Sequence, residues 1–365
     1  MVSQQLAPAA AVAQPTRPTE VLPSPAPNSA ASKFARFKPS AKTKTRLKLL
    51  LSVAMIAGLF LFGKIDLSKS WEVAKSANPW FLVTALILFL STTILNAHRW
   101  QLLARAVGFD KPLKQLIQYC FVGNFFNLFL PSTVGGDFSR CYYLSKGTGR
   151  YHHALYSVLA DRVIGVAVLF AIASVGILVG PGGTSLPWQL KLPILGGTAA
   201  LFLLIPSMPA LTLKLLGPQN KIAQRFNNSI MQVYWKDRGL IAMTVLFSVC
   251  MQLVIVICHI AVGYALGLTN IPLWYYFVFY PSVAVLGFVT PSFNGIGIRE
   301  WSYTYFLTMA GVDRSHALAY AISWLGINTL YSLSGGLVYL GAHLKRPPEY
   351  VVEEEPIEQF VDVDA

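Results

Sequence analysis

The chain has 365 residues, of which 54% are hydrophobic and 12% are charged, with a formal net charge of +13. Soluble domains carry about twice that share of charged residues, so this composition excludes an ordinary soluble protein and indicates a polytopic membrane protein. The basic residues flank apolar segments and do not form a stripe with interleaved aromatics, which excludes nucleic acid as the expected partner.

The two ends of the chain differ in composition from its middle. Residues 1–45 are rich in Pro, Ala and Ser and then become strongly basic, a composition that cannot bury enough apolar surface to fold. We therefore expect a disordered basic N-terminal tail. The first apolar run lies too far from Met1 for a cleaved signal peptide. Residues 46–346 form the predicted membrane domain, and residues 347–365 form an acidic tail.

The apolar runs predict the membrane spans, because a transmembrane helix needs about 20 apolar residues. Six full spans are expected near residues 47–63, 80–97, 154–179, 191–209, 240–267 and 317–342. Two further apolar runs, near 113–130 and 274–289, are interrupted by Gly, Asn or Pro and are predicted to be the first arms of re-entrant hairpins.

One motif occurs twice, at the end of each interrupted run. Pro131 and Pro291 each begin a Pro-Ser-x-x-Gly sequence, once in the first half of the chain and once in the second. A charged stretch follows each copy. We interpret the two copies as equivalent hairpins that break, turn and bring polar groups into the membrane.

The distribution of Lys and Arg supports re-entrance, because basic loops favour the cytoplasm. If neither interrupted run crosses, most basic residues lie on the cytoplasmic side together with both termini. The order span, span, hairpin, span then occurs twice with opposite orientation. The sequence therefore predicts an all-α, polytopic integral membrane protein of the cell (inner) membrane. Its inverted repeats, residues 46–180 and 190–346, would each contain about three transmembrane helices and one re-entrant hairpin.

The glycines of the two motifs indicate a cavity, because non-helical backbone at membrane depth is tolerated only in protein or around a cavity. Gly135, Gly136, Gly295 and Gly297 permit close approach of a ligand, and a helix that starts after them could bind a phosphate. The alternative interpretation is that they only make tight turns.

Ionisable residues at membrane depth are costly, so they usually pair or mark a substrate path. Asp137 and Arg140 could pair on one helical turn. Arg140 or Arg299 could instead bind a phosphodiester through the guanidinium fork. Salt bridges without a ligand are an open alternative. We interpret Arg99 and Trp100, at the end of a span, as an interface anchor in preference to a substrate contact.

The candidate substrate-binding residues share a position in or beside the two hairpins or at the start of the third span. They are Asn127, Gly135, Gly136, Asp137, Arg140, Asp161, Arg162, Asn294, Gly295, Gly297, Arg299 and Glu300. The two asparagines could bind a headgroup, although helix capping is the favoured role. The cysteines and histidines lack ligand spacing, so we expect no disulfide framework, metal or cofactor. No catalytic residue is assigned.

The ordered set of motifs resembles a known family. The set comprises Arg99-Trp100, Asn127-x-x-x-Pro131-x-x-x-Gly135-Gly136-Asp137-x-x-Arg140, Asp161-Arg162-x-x-Gly165 and Pro291-x-x-x-Gly295-x-Gly297-x-Arg299-Glu300. Over roughly residues 45 to 345 it resembles the flippase-like transmembrane domain of lysylphosphatidylglycerol synthases and its stand-alone membrane relatives. The resemblance implies lipid handling, because that domain moves the modified lipid across the membrane and relatives are tied to lipid-linked sugars or phospholipid transport. No aminoacyl-transferase domain follows residue 346, so lysine transfer is not expected.

The sequence thus favours a transporter or flippase that moves an anionic phospholipid or lipid-linked intermediate between leaflets, not an enzyme. Its expected partners are membrane lipids, and a homo-oligomer is left open. No Walker sequence is present, so ATP is not the expected energy source. One alternative is a membrane-embedded transferase acting on a polyprenyl phosphate or phospholipid, in which paired carboxylates could hold a divalent ion. Another is a scaffold for partner membrane proteins.

Overall fold

The computed structural model describes residues 67–129, 135–180, 187–220, 224, 229–289 and 297–342, and every regular element in these ranges is a helix. The helices are α1 (Leu67–Lys75), α2 (Pro79–Ala106), α3 (Leu113–Phe129), α4 (Gly135–Ser145), α5 (Tyr151–Val179), α6 (Trp188–Leu216), α7 (Ser229–Lys236), α8 (Arg238–Ala265), α9 (Leu273–Val289), α10 (Ile298–Met309) and α11 (Arg314–Gly341). Outside the described residues lie both predicted tails, the predicted span 47–63 and the hairpin tips with Pro131, Pro291, Asn294 and Gly295.

Polar side chains cap the beginnings of three long helices. The side-chain oxygen of Asn78 accepts a hydrogen bond from the N–H of Trp80 at 3.0 Å before α2. Asp237 caps α8 in the same way, and the Asp313 carboxylate accepts from the N–H of Ser315 at 3.0 Å before α11. Such caps satisfy N–H groups that have no partner within the helix. They explain why these helices start where the apolar sequences begin.

The described helices include four that are long and apolar enough to cross a membrane: α2, α5, α8 and residues 188–207 of α6. They correspond to four of the predicted spans. α11 covers the predicted span 317–342 and has 28 residues, but it is not among those four. Large apolar side chains on these helices face outward, including Leu178, Leu203 and Leu337, each more than two-thirds exposed. A lipid environment accounts for such surfaces, and the protein is an all-α, multi-pass membrane protein.

The two interrupted apolar runs each form the first arm of a helical hairpin. The rings of Tyr119 in α3 and Tyr143 in α4 stack with centroids 5.4 Å apart. In the second hairpin the Tyr275 hydroxyl of α9 donates to the carbonyl oxygen of Phe306 in α10 at 2.7 Å. The predicted reversal of the chain after each run is therefore seen in the packing of its arms. Re-entrance into a bilayer stays a prediction.

The helices of the two halves correspond in order and in length. α2 and α8 each have 28 residues, and α3 and α9 each have 17. In both halves a short helix follows, α4 in the first and α10 in the second, and then a long one, α5 or α11. The interval between equivalent helix starts is nearly constant along the chain. This regularity is what two copies of one structural unit produce.

The equivalent helices α2 and α8 run antiparallel, with the most extensive contact of any helix pair in the described residues. Phe81 lies against Tyr264 near one end of the contact, and His98 stacks on Phe247 further along α2. Equivalent helices of inverted repeats would run in opposite directions in this way. The packing agrees with inverted repeats, whose orientation in a membrane remains a prediction.

Candidate functional site

A cavity of about 320 Å³ lies between the two halves of the chain, among residues of α2, α3, α4, α5, α8, α10 and α11. In the part of the chain that the structure describes, six charged residues line it: Arg99, Asp137, Arg140, Asp161, Arg162 and Arg299. Five of the predicted site residues are among these six. The cavity therefore joins residues that are as distant in the sequence as Arg99 and Arg299.

Five of these charged residues form a continuous chain of ion pairs. The Arg99 Nε donates to Asp161 Oδ1 at 2.7 Å, and Arg140 Nη2 donates to Asp161 Oδ2 at 3.0 Å. Arg162 bonds both carboxylate oxygens of Asp137, through Nε at 2.7 Å and Nη2 at 3.0 Å. Arg140 Nη1 also lies 3.7 Å from Asp137 Oδ1. Positive and negative side chains therefore alternate along the network, which begins with Arg99 on α2, passes through Asp161 on α5 and the two charged residues of α4, and ends with Arg162 on α5.

The predicted pairing of Asp137 with Arg140 on one helical turn is present, but it is the longest contact in the network. Each of the two residues of α4 has a closer partner of opposite charge on α5, where Asp161 and Arg162 are adjacent. The main ionic contacts therefore hold α4 against α5 instead of stabilising a single turn of α4.

Arg140 is the most enclosed cation of the hairpin. Its side chain is 7% exposed, and its guanidinium carbon lies 4.1 Å from the centroid of the Trp100 ring, in cation–π geometry. The Trp100 indole N–H donates to the hydroxyl of Ser157 at 3.2 Å, which fixes the ring. The Arg140 Nε has no hydrogen-bond acceptor among the described residues. Arg140 thus keeps one donor without an acceptor beside the cavity.

The interpretation of Arg99 and Trp100 as an interface anchor is wrong. Arg99 is 4% exposed and Trp100 is fully buried, whereas an anchor would contact headgroups and water. The reason is that α2 continues to Ala106, beyond the predicted end of the span at residue 97. Arg99 also donates from Nη1 to the Ser248 hydroxyl of α8 at 2.8 Å, so it joins the two halves.

The glycines of the first motif allow the arms of the hairpin to touch. A Cβ atom at Gly136 would collide with the carbonyl oxygen of Gly123 on α3. The Gly136 N–H donates to Asn127 Oδ1 at 2.7 Å, which confirms the favoured capping role of this asparagine. Gly136 and Asn127 both line the cavity, whereas Gly135 begins α4 beside it.

The second hairpin contributes Arg299 to the cavity. No carboxylate of the described residues lies within 4.0 Å of its guanidinium. The neighbouring Glu300 does not line the cavity, because its carboxylate accepts a hydrogen bond from the Gly297 N–H at 2.6 Å. Gly297 has φ 87°, a conformation that favours glycine, and it too lies away from the lining. The second motif therefore divides into a structural cap and one cavity cation.

Sequence reasoning missed most of the uncharged polar part of the lining, which includes Asn96, Asn124, Gln252, Asn328, Tyr331 and Ser332. The Tyr331 hydroxyl receives a hydrogen bond from the Asn124 amide at 2.6 Å and lies 2.9 Å from the Thr93 hydroxyl. The available signal was the presence of amide side chains inside otherwise apolar helices, where unpaired polar groups are costly.

Comparison with known proteins gives a family match over most of the chain. Residues 47–335 match the family described as Lysylphosphatidylglycerol synthase TM region. Similar curated proteins include UPF0104 membrane proteins of Methanocaldococcus jannaschii, 28% identical over 128 residues, and Archaeoglobus fulgidus, 28% identical over 116 residues. These alignments cover 34% and 32% of this chain, and 38% and 35% of the relatives, so the chain spans little more than a third of their length. No solved structure matches.

Proposed function

The chain belongs to the Lysylphosphatidylglycerol synthase TM region family, whose name indicates a membrane lipid-related role, and on that premise we propose that it moves an anionic lipid between bilayer leaflets. The cargo would be an anionic phospholipid or a lipid-linked intermediate. The lipid itself would not be covalently changed by the protein, so the proposed activity is transport and not catalysis.

The observation that carries this proposal is the sign of the charge around the cavity. Among the described residues, four guanidinium groups face it together with two carboxylates. Arginine binds two phosphate oxygens at once, and its guanidinium group stays protonated at any pH at which the protein is folded. A cavity of this composition inside a membrane protein suits an anionic headgroup, while the acyl chains remain in the surrounding lipid.

The contacts also suggest how a headgroup would enter. The Arg162 side chain is 35% exposed, whereas those of Arg99 and Arg140 are at least nine-tenths buried. An incoming phosphate would therefore meet Arg162 first and compete with Asp137 for its guanidinium. Transfer from Arg162 toward Arg140 and Arg299 would carry the headgroup inward. Alternating exposure of the cavity to the two sides would then complete the movement.

The test is reconstitution of the purified protein into vesicles that carry fluorescent phosphatidylglycerol, with a quencher added outside to follow leaflet exchange. The Arg299→Gln variant should slow the exchange by about tenfold or more, because it removes one charge-assisted hydrogen bond. Arg299 suits the test because its loss leaves no carboxylate of the described residues without a partner.

The matched control is Arg105→Gln on α2. Arg105 pairs with Asp110 at 3.2 Å, but both side chains are more than half exposed and neither lines the cavity. Its exchange rate should equal that of the unmodified protein. Equal rates for all three proteins would reject the site, and mass spectrometric detection of a covalently changed lipid would favour the transferase alternative.

A further inference from the structure

The balance of charge around the cavity allows the headgroup to be specified further. This inference rests on the proposed function, because it concerns the ligand of the same cavity. Among the described residues of the lining, the four arginines contribute +4 and the two aspartates −2, which gives a net charge of 4 − 2 = +2.

The donors that remain for a ligand can be identified among the described residues. Asp161 is shared by Arg99 and Arg140, and Asp137 is bound on both oxygens by Arg162. Arg140 has an Nε without an acceptor in the described structure, although its side chain is only 7% exposed. Arg299, from the other hairpin, has no described carboxylate within 4.0 Å.

Two positive charges in excess of the described carboxylates of the lining would be costly to maintain at membrane depth. A monoanionic phosphodiester would neutralise one of them, and a zwitterionic headgroup would bring a further cation into the cavity. A group with two negative charges would neutralise both. It could also bond to the donors of the first hairpin and to Arg299 at the same time, since these face one cavity.

We propose that the cavity selects a dianionic phosphate group, which is a phosphate monoester or a diphosphate, over the single charge of a phosphodiester. Arg299 is the residue that determines this selectivity. It supplies the second positive charge, while the network of the first hairpin binds the first negative charge. The same chemistry occurs in a lipid headgroup and in a soluble phosphate ester.

The experiment measures binding to the purified full-length chain by competition with a fluorescent lipid. The ligands are phosphatidic acid, phosphatidylglycerol and phosphatidylcholine with identical acyl chains, and soluble glycerol 3-phosphate. At about pH 8 a phosphate monoester is dianionic, because its second proton dissociates near pH 6. Phosphatidic acid should bind about tenfold more tightly than phosphatidylglycerol, the gain expected from one added charge-assisted contact.

Two changes should abolish that preference. The Arg299→Gln variant should bind the two lipids with similar affinity, whereas Arg105→Gln should retain the full ratio. Lowering the pH to about 5 should also remove the preference, because the monoester then carries one charge. Binding of glycerol 3-phosphate as tight as that of phosphatidic acid would identify a soluble ester as the source of the dianion, and much weaker binding would identify a lipid.

Equal affinity of the unmodified chain for phosphatidic acid and phosphatidylglycerol would overturn the inference, as would an unchanged ratio in Arg299→Gln. These results differ from failure of the proposed function. Transport of phosphatidylglycerol without any preference for the monoester would leave the flippase intact and reject the dianion. A preference for the monoester without leaflet exchange would support the dianionic ligand and reject the flippase.

Discussion

The two halves of the chain have different residue types at equivalent positions. Positions are equivalent here when they lie the same number of residues after the starts of equivalent helices. In the first half, Trp100, Arg140 and Asp161 meet around an ionic network. Their counterparts at the same places in α8, α10 and α11 are His259, Tyr303 and Trp324.

These counterparts form an aromatic cluster. The rings of His259 and Trp324 have centroids 3.8 Å apart, and His259 Nε2 lies 2.9 Å from the Tyr303 hydroxyl. The Tyr280 ring also packs on His259, at 4.3 Å between centroids. None of these aromatic residues lines the cavity. The first half thus has charges beside a cavity at these positions, and the second half has packed aromatic rings. We infer that the first half supplies most of the charges that bind the ligand, and that the second supports the fold and adds Arg299 together with uncharged lining such as Gln252 and Tyr331.

The largest loss of stability is expected from removing the Asp161 carboxylate at the centre of the ionic network. Asp161→Ala leaves the buried guanidinium groups of Arg99 and Arg140 without their shared partner. Breaking a buried ion pair on one side costs about 3–5 kcal/mol of unfolding free energy. Thermal unfolding in detergent should detect this loss. The control is Asp110→Ala, whose side chain is 88% exposed and whose removal should cost less than about 1 kcal/mol. Equal losses in the two variants would contradict a structural role for the ionic network.

A smaller loss of stability is expected when the aromatic cluster around His259 is disrupted. His259→Ala removes the ring contacts with Trp324 and Tyr280 and leaves the Tyr303 hydroxyl without its nitrogen partner, at a cost of about 2–3 kcal/mol. The rate of lipid exchange per folded molecule should stay the same, since the cluster lies away from the cavity. Thermal unfolding and vesicle assays on the same preparation measure both quantities. Loss of lipid exchange with unchanged thermal stability in this variant would instead indicate that the aromatic cluster belongs to the binding site.

The smallest effect concerns the contact between the arms of the first hairpin. Gly136→Ala forces the new methyl group against Gly123 and Asn127, which should cost about 1–3 kcal/mol by overpacking and displace the charged residues of α4. Gly326→Ala in α11 is the matched control, because no atom lies within 4 Å of its added Cβ. That variant should be neutral or up to about 1 kcal/mol more stable through helix propensity. The measurement is again thermal unfolding together with the exchange rate, and equal behaviour of the two variants would contradict close packing at Gly136.

The contrast between the halves also separates what the sequence could predict from what it could not. The two hairpins were predictable, because Gly and Pro interrupt an apolar run in the same order in each half. Cavity positions for Asp137, Arg140 and Arg299 followed from the cost of charge in a membrane. The closer partners of Asp137 and Arg140 were not predictable, because Arg162 and Asp161 lie on a separate helix whose packing against α4 has no signal in the local sequence.

Two residues have positions that differ from the sequence-based expectation, each for a specific physical reason. Arg99 was missed because an arginine followed by a tryptophan near the end of an apolar run has the composition of an interface anchor. Only the longer helix shows that both residues are internal. Glu300 was assigned to the substrate, although its carboxylate satisfies the Gly297 N–H at the start of α10, which the spacing of a capping box would have indicated.

The antiparallel contact between α2 and α8 has a mechanical consequence. Arg99 lies on this seam, and its guanidinium bonds Asp161 on one side and the Ser248 hydroxyl on the other. If one helix slid or tilted against its neighbour, the bond to Ser248 would stretch unless the guanidinium followed, and Asp161 would then lose part of its neutralising charge. If the proposed transport involves rocking of the two halves about this contact, the movement would change the charge that neutralises Asp161 through the Arg99 side chain.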